Sequence, residues 1–314
     1  MPREFALIER FVRHFPERGQ GLVLGPGDDC AILRPTPGRE LCVTTDEIRE
    51  GVHFDRRFAP EDVGHKALAV NLSDLAAMGA VPRWFLVALE LPRNVQPDLL
   101  DRLARGMLPL AREFGCALAG GNLCRGPALA LTITALGEVP DGAALRRRGL
   151  RPGHVIAVTG TVGFAALGLA ALRAGRRDAA ARAQLRPTPR IAAGLAARGV
   201  ASCAIDVSDG LAQDLEHLCE ASGCGAELWA SRLPARPAVR AQRRWRGLCL
   251  SGGEDYELLL GVPPRRWPAL RRRVEATGTP LTEIGRALDG SGIRLAEVPG
   301  GRTHHLAAPG FEHF

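Results

Sequence analysis

Lysine is all but missing from this chain: Lys66 is the only one among 41 cationic residues, so nearly every positive charge is a guanidinium. Aromatic residues are scarce as well, at 5%. A surface that binds nucleic acid combines a basic stripe with aromatic side chains for base stacking, so this scarcity argues against that class despite a net charge of +7. No apolar run approaches the ~20 residues that a membrane-spanning helix needs, and Met1-Pro2-Arg3-Glu4-Phe5 does not open a signal-peptide core. The expectation is a cytoplasmic protein with no membrane partner. The eight cysteines (Cys30, Cys42, Cys116, Cys124, Cys203, Cys219, Cys224 and Cys249) form no C-x-x-C pair, which argues against structural zinc and for reduced, small core residues. Several catalytic signatures are absent too: no P-loop, no H-R-D or D-F-G of a protein kinase, no G-x-S-x-G and no H-E-x-x-H.

What is present is a chain of 314 residues, 46% hydrophobic, enough for two domains with a core each. Its charge is uneven. Residues 1–150 hold 19 basic and 19 acidic side chains, whereas residues 151–314 hold 22 and 15. Such an excess of arginine suits the steering of small phosphorylated substrates. Apolar patterns of helical and strand period alternate throughout, which gives an α/β or α+β class. The Arg-rich stretch 142–153, with Pro152-Gly153, marks a domain boundary and divides the chain into 1–150 and 151–314.

The acids are placed unusually. Asp28 and Asp29 follow Gly25-Pro26-Gly27; Asp46 closes the strand Leu41–Thr45; Asp206 and Asp209 leave the strand Cys203–Ile205 beside Ser208 and Gly210. Asp74 sits in Asn71-Leu72-Ser73-Asp74-Leu75-Ala76-Ala77-Met78-Gly79-Ala80, where apolar residues fall at helical spacing. That pattern reads as a buried helix beginning near the acid, and helix capping by Asp74 or Ser73 is the plain alternative to a ligand role. Gly120-Gly121-Asn122 reads as another strand-to-turn edge. Converging carboxylates repel one another unless cations stand between them. Hard oxygen donors suit Mg²⁺, which binds through a few carboxylates plus substrate phosphates, so the composite points to metal-assisted phosphate chemistry.

The segments GPGDDCAIL, VTTDEIREGVHF, HKALAVNLSDLAAMGA, GGNLCRGP, AIDVSDGLAQDL, SGGEDYELLL and the terminal GFEHF occur in order from residue 25 to residue 314. Together they resemble the thiamine-monophosphate kinases, a family in the superfamily of aminoimidazole ribonucleotide synthetase. The resemblance implies a two-domain α/β fold and a homodimer joined through the N-terminal sheets. It also implies direct, Mg²⁺-assisted transfer of the γ-phosphoryl group of ATP to thiamine monophosphate, without a phospho-enzyme. It assigns Asp29, Thr44, Thr45, Asp46, Asp74, Asn122, Asp206 and Asp209 to metal sites, with Asp46, Asp74 and Asp209 central to catalysis. Gly121, Asn122, Arg147 and Ser208 match nucleotide positions, with Arg146 and Arg148 flanking the arginine. His53, Glu254 and Phe311 match the thiamine-phosphate side. The family commonly has Asp where this chain has Asn122, so one metal site is expected to lose a charge. The alternatives are another ATP-using member of the superfamily and a nucleotide-binding protein without turnover.

Overall fold

The computed structural model describes residues 4–306 except Glu17 and Pro97. The terminal GFEHF motif, and with it Phe311, lies outside the described residues. The elements run α1 (Glu4–Val12), β1 (Leu22–Leu24), β2 (Ile32–Leu33), β3 (Arg39–Arg49), α2 (Pro60–Ala77), β4 (Val81–Leu91), α3 (Leu99–Glu113), β5 (Ala117–Arg125) and β6 (Ala130–Pro140). There follow β7 (Val155–Thr159), α4 (Phe164–Arg173), α5 (Ala179–Leu185), α6 (Ile191–Ala197), β8 (Cys203–Asp206), α7 (Leu211–Ser222), β9 (Gly225–Trp229), α8 (Pro237–Arg240) and α9 (Trp245–Ser251). The chain closes with β10 (Leu258–Val262), α10 (Trp267–Glu275), β11 (Leu281–Leu288), β12 (Ile293–Ala296) and β13 (Thr303–Leu306). This is the mixed α/β (α+β) class expected. None of the described helices is long and apolar enough to cross a membrane.

The chain divides into two compact units between Gly142 and Ala143, with Ala76–Gly79 counted to the second. The first unit is built on a four-stranded sheet in the order β3-β6-β4-β5. β3, β6 and β4 pair antiparallel, and β4 pairs parallel with β5 after the α3 crossover. Helices α2 and α3 cross where neither has a side chain: a Cβ on Gly64 would stand 2.1 Å from the Leu103 carbonyl, and one on Gly106 would stand 2.0 Å from that of Glu61. This close approach fixes α2 and the acid it carries. Lys66, on α2, is fully buried, with Nζ 5.4 Å from the centre of the Phe58 ring.

The second unit is built on a seven-stranded sheet in the order β13-β12-β9-β11-β7-β10-β8, antiparallel except between β12 and β9. Its central strands β7 and β10 are buried along their whole length, as their unbroken apolar runs require. Ile156, Val158, Ile205, Leu215, Leu259 and Ile284 lie in one hydrophobic core of this unit.

Three local expectations are corrected. First, the central helix begins at Pro60, not near Asp74. Proline is preset for the first helical position, and Glu61 and Asp62 suit the positive end of the helix dipole. Second, β3 continues past Asp46 to Arg49, because pairing with β6 extends from Arg39 to Arg49 and outweighs the poor strand preference of Asp and Glu. Third, Gly120-Gly121-Asn122 is not a turn but the middle of β5. A Cβ on Gly121 would lie 2.0 Å from the Val87 carbonyl, so this glycine permits close strand packing rather than a reversal.

Candidate active site

In the first unit the site is organised by β3 and the end of α2. Asp74 occupies the last turn of α2, which contains no basic residue. A carboxylate there faces the negative end of the helix dipole and costs about 0.3–1 kcal/mol. The capping alternative therefore fails, because Asp74 is at the wrong end of the helix to serve free N–H groups. Two bonds tie strand to helix: the Thr44 hydroxyl donates to Asp74 Oδ2 at 2.5 Å, and the Asp46 N–H donates to Asn71 Oδ1 at 3.1 Å. Asn71 is fully buried, and its amide donates in turn to the Ala67 carbonyl at 3.0 Å. Asp46 and Asp74 are thus anchored one turn of helix apart on a rigid frame. Asn71 was not singled out from sequence; the available signal was a lone amide inside an apolar helical pattern.

Strand alternation separates the other expected residues of this unit. Thr44, Asp46 and Ile48 share the core face of β3 with α2, whereas Thr45 shares the opposite face with Thr134, whose hydroxyl donates to it at 3.2 Å. The register Glu47–Thr132–Ala88–Asn122 puts Asn122 on that opposite face also. The structure therefore joins Thr44, Asp46 and Asp74, and does not bring the Thr45 or Asn122 side chains to them. Asp29 lies exposed in the loop between β1 and β2, its N–H bonded to Asp28 Oδ1 at 2.9 Å. His53 is half-buried in the turn after β3, where its Nδ1 accepts the Arg49 N–H at 3.1 Å. That bond assigns the proton of the neutral ring to Nε2.

In the second unit the site is built from two interlocked loops. Asp206 ends β8 and is 6% exposed; Ser208 and Asp209, half-buried, follow it into α7. One oxygen of Asp214, in the first turn of α7, accepts the N–H groups of Ser208, Asp209 and Gly210 at 3.0, 3.2 and 3.1 Å. Burial, then the charge of Asp209, push the Asp214 carboxyl up to about 7 against the pull of those donors. The second loop, Ser251 to Glu257, lies along the first: Glu254 N–H donates to the Ser208 carbonyl at 2.7 Å and Tyr256 N–H to that of Val207 at 2.8 Å. A Cβ on Gly253 would stand 2.5 Å from the Ser208 carbonyl.

Glu254 and Tyr256 adopt φ of +69° and +50°, a left-handed conformation that side chains disfavour. Buried acids hold them there. Asp255 accepts the Gly163 and Ala165 N–H groups at 2.5 and 3.0 Å at the start of α4, and burial raises its carboxyl to about 7. Glu257 receives a bidentate Arg190 at 2.7 and 2.6 Å and the Thr159 hydroxyl at 2.7 Å. Glu254 itself accepts from the amide of Gln184, which is 2% exposed. Arg147 is exposed, its carbonyl bonded by the Ser222 hydroxyl at 3.4 Å. Asp214, Asp255, Glu257 and Gln184 were missed in the sequence. The first three stand inside motifs already noted, and only their hydrogen-bond partners in the structure identify them as acids that brace a loop.

The donors gathered in each unit are carboxylate and hydroxyl oxygens, which suit Mg²⁺ and not a soft metal. Among the described residues no group of three or more His, Cys, Asp or Glu side chains is placed to hold an ion alone. Magnesium usually takes one or two carboxylates and completes its shell with water and substrate phosphates, so this donor set fits it.

Comparison with known proteins matches residues 27–139 to the family model for AIR synthase related protein, N-terminal domain, and residues 151–297 to that for the C-terminal domain. A thiamine-monophosphate kinase from Salmonella typhimurium is 41% identical over 99% of this chain and 98% of its own length. The crystal structure of thiamine-monophosphate kinase from Stenotrophomonas maltophilia superposes with a TM-score of 0.86 at 41% identity, covering 94% of this chain and 97% of that one. A second solved structure, AaThiL complexed with AMPPCP and TMP, gives a TM-score of 0.80 at 30% identity over 99% of this chain and 97% of its own.

Proposed function

The chain belongs to the thiamine-monophosphate kinase family, and on that premise we propose that it phosphorylates thiamine monophosphate with ATP to give thiamine diphosphate and ADP. The observation that carries this reading is identity at 41% along almost the whole chain to a kinase of that name, joined to a solved relative holding AMPPCP and TMP together. An oxygen of the acceptor phosphate attacks the γ-phosphorus as the bond to the β,γ-bridging oxygen breaks, and ADP leaves with that electron pair. The acceptor is already an anion, so the reaction asks for alignment and charge neutralisation rather than a general base.

Asp46 and Asp74, with the Thr44 hydroxyl, and Asp206 and Asp209 are the residues we assign to Mg²⁺; Asp29 joins them from its loop. When bound, the metal offsets the repulsion between two anionic reactants. Ser208 and Arg147 are assigned to the nucleotide, the guanidinium fork being suited to phosphate oxygens. Glu254 offers its carboxylate to the cationic thiazolium, and His53 and Phe311 complete the thiamine-phosphate side. The decisive assay incubates the purified protein with ATP, Mg²⁺ and thiamine monophosphate and separates products by chromatography. Equal amounts of ADP and thiamine diphosphate are expected. Nucleotide binding without turnover would mean a non-catalytic binder, and ATP use without thiamine diphosphate would mean a different acceptor.

We assign the homodimer to the face of the first sheet that carries Thr45, at its exposed β3 edge. β3 is an edge strand of 11 residues whose outward side chains include Leu41, 42% exposed, and Val43, 60% exposed. Apolar side chains exposed on a long edge strand are an association hazard unless something covers them. Gly121 and Asn122, assigned to the nucleotide, and Thr45, assigned to a metal site, lie along this sheet, so their part is played at the subunit contact. Val43→Arg is expected to convert a dimer into a monomer in light scattering; an unchanged mass would remove this face from the interface. The cytoplasmic location belongs to the same proposal, supported by eight cysteines that are all free thiols.

A further inference from the structure

The three strands that carry the acid-bearing loops of the second unit have a second end. Val262 pairs with Val155 and Gly261 with Cys203, so β10 finishes where β7 and β8 begin. An open groove of about 750 Å³ lies there, lined by Gly149, Arg151, His154, Ser202, Arg265 and Arg266 together with two prolines. At ~3.3 Å per strand residue, strands of this length set the groove roughly 13–17 Å from the loops at Asp206 and Glu257.

Its lining contains three guanidinium groups, an imidazole and no carboxylate. Elsewhere in this unit arginines find acids: Arg190 binds Glu257, Arg246 binds Glu297, and Arg232 and Arg286 share Glu283. Among the described residues Arg151, Arg265 and Arg266 form no ion pair, although residues 151–314 supply 15 acids. The polar floor is fixed. Ser202 donates its N–H and its hydroxyl to the Gly261 carbonyl at 2.8 and 3.0 Å, so its oxygen accepts from His154 Nδ1 at 3.1 Å and leaves Nε2 as the basic atom of the ring. Burial, then the positive charge of Arg151, pull the His154 acid below the usual imidazole value. The groove is therefore cationic and lacks a counter-charge from its own walls.

We propose that this groove is a second anion site, distinct from the acid-bearing loops, that takes a small polyphosphate chain, either inorganic or on an organic carrier. Arginine forks match phosphate oxygens in pairs, and the volume is that of a small-molecule cleft. No Phe, Tyr or Trp lines it, so the row of large rings on which successive bases stack is missing and a nucleic acid strand is disfavoured. The site also gives a use to the excess of arginine in the second half of the chain, which the phosphoryl-transfer site does not absorb.

The test uses the full chain in EDTA, with inorganic tripolyphosphate and ATP as separate probes and calorimetry as the readout. Saturable binding is expected, with the His154 ring resonances shifting and its titration moving upward as the anion arrives. The R265A/R266A double variant should keep the wild-type melting temperature, turnover and KM for ATP while losing affinity for tripolyphosphate by about tenfold or more. Only the binding that the double variant loses reports on the groove, because ATP also enters the phosphoryl-transfer site: loss of tripolyphosphate binding alone would identify an inorganic chain, and loss of an additional ATP site would identify a nucleoside carrier; both support the site. Unchanged binding in the double variant would overturn it. So would equal binding of a single-stranded RNA with the same salt dependence, because that is diffuse surface attraction and not a groove.

Discussion

Asp74→Asn is expected to abolish thiamine diphosphate formation while leaving the protein at least as stable as before. The two halves of that result have one physical origin. Asp74 stands in the last turn of α2, where the helix dipole opposes a negative charge and no basic residue compensates it. Removing the charge relieves that term, a gain of about 0.3–1 kcal/mol. The amide keeps an oxygen for the Thr44 hydroxyl, which now donates at 2.5 Å, so the tie to β3 survives. Catalysis loses the charge that the proposal assigns to holding Mg²⁺ against two anionic phosphates. A deficit of about 4 kcal/mol in transition-state stabilisation is a thousandfold fall in kcat/KM. Both quantities should be measured on one preparation, by product chromatography and by thermal unfolding. Activity within about tenfold of wild type would take Asp74 out of the mechanism, and a large drop in melting temperature would make it a structural residue.

The same residue shows how far sequence reading reaches. That Asp74 is a costly acid among small apolar residues was legible, because that expense does not depend on knowing the fold; whether it capped a helix or faced a ligand was not, and its place in the last turn of α2 decides against the cap. That the helix runs 14 residues ahead of it to Pro60 was not, since His65 and Lys66 interrupt the apolar pattern and Lys66 proves to be fully buried. Strand positions followed from short apolar runs bounded by Gly and Pro, and β4, β7, β8 and β10 fall where those runs lie. Which face a strand residue takes was beyond reach. Thr44 and Thr45 are chemically alike and adjacent, yet one meets Asp74 and the other meets Thr134 across the sheet. Gly120-Gly121 reads as a turn in any local scheme, and only the pairing with β4 reveals the need for a missing Cβ. Motif membership was legible, whereas the division of labour within a motif was not. In AIDVSDGLAQDL the acids Asp206, Asp209 and Asp214 look alike, and nothing local tells that Asp214 is the one that receives three successive N–H groups of the loop.

Asp214 sets up the second large effect. Three successive N–H groups at the start of a 12-residue helix form a nest of positive potential, which would ordinarily bind an anion. Here the anion is built in: Asp214, 2% exposed, fills the nest from within. With the nest filled by Asp214, its three donors do not compete with a cation for the Asp206 and Asp209 carboxylates. Asp214→Asn keeps an oxygen for the three donors, whereas Asp214→Val removes the acceptor at similar volume. The valine variant should therefore lose about 3 kcal/mol or more of stability, the cost of stranding these donors. It should also bind Mn²⁺, used as a spectroscopic substitute for Mg²⁺, about tenfold more weakly, because Asp209 is drawn into the vacant nest. The asparagine variant should hold Mn²⁺ within about threefold of wild type. Electron paramagnetic resonance on the folded variants reads this without any turnover. A purely structural role predicts that both variants bind Mn²⁺ as well as wild type once folded, and that result would leave Asp214 as a brace for α7 with no bearing on the acids beside it.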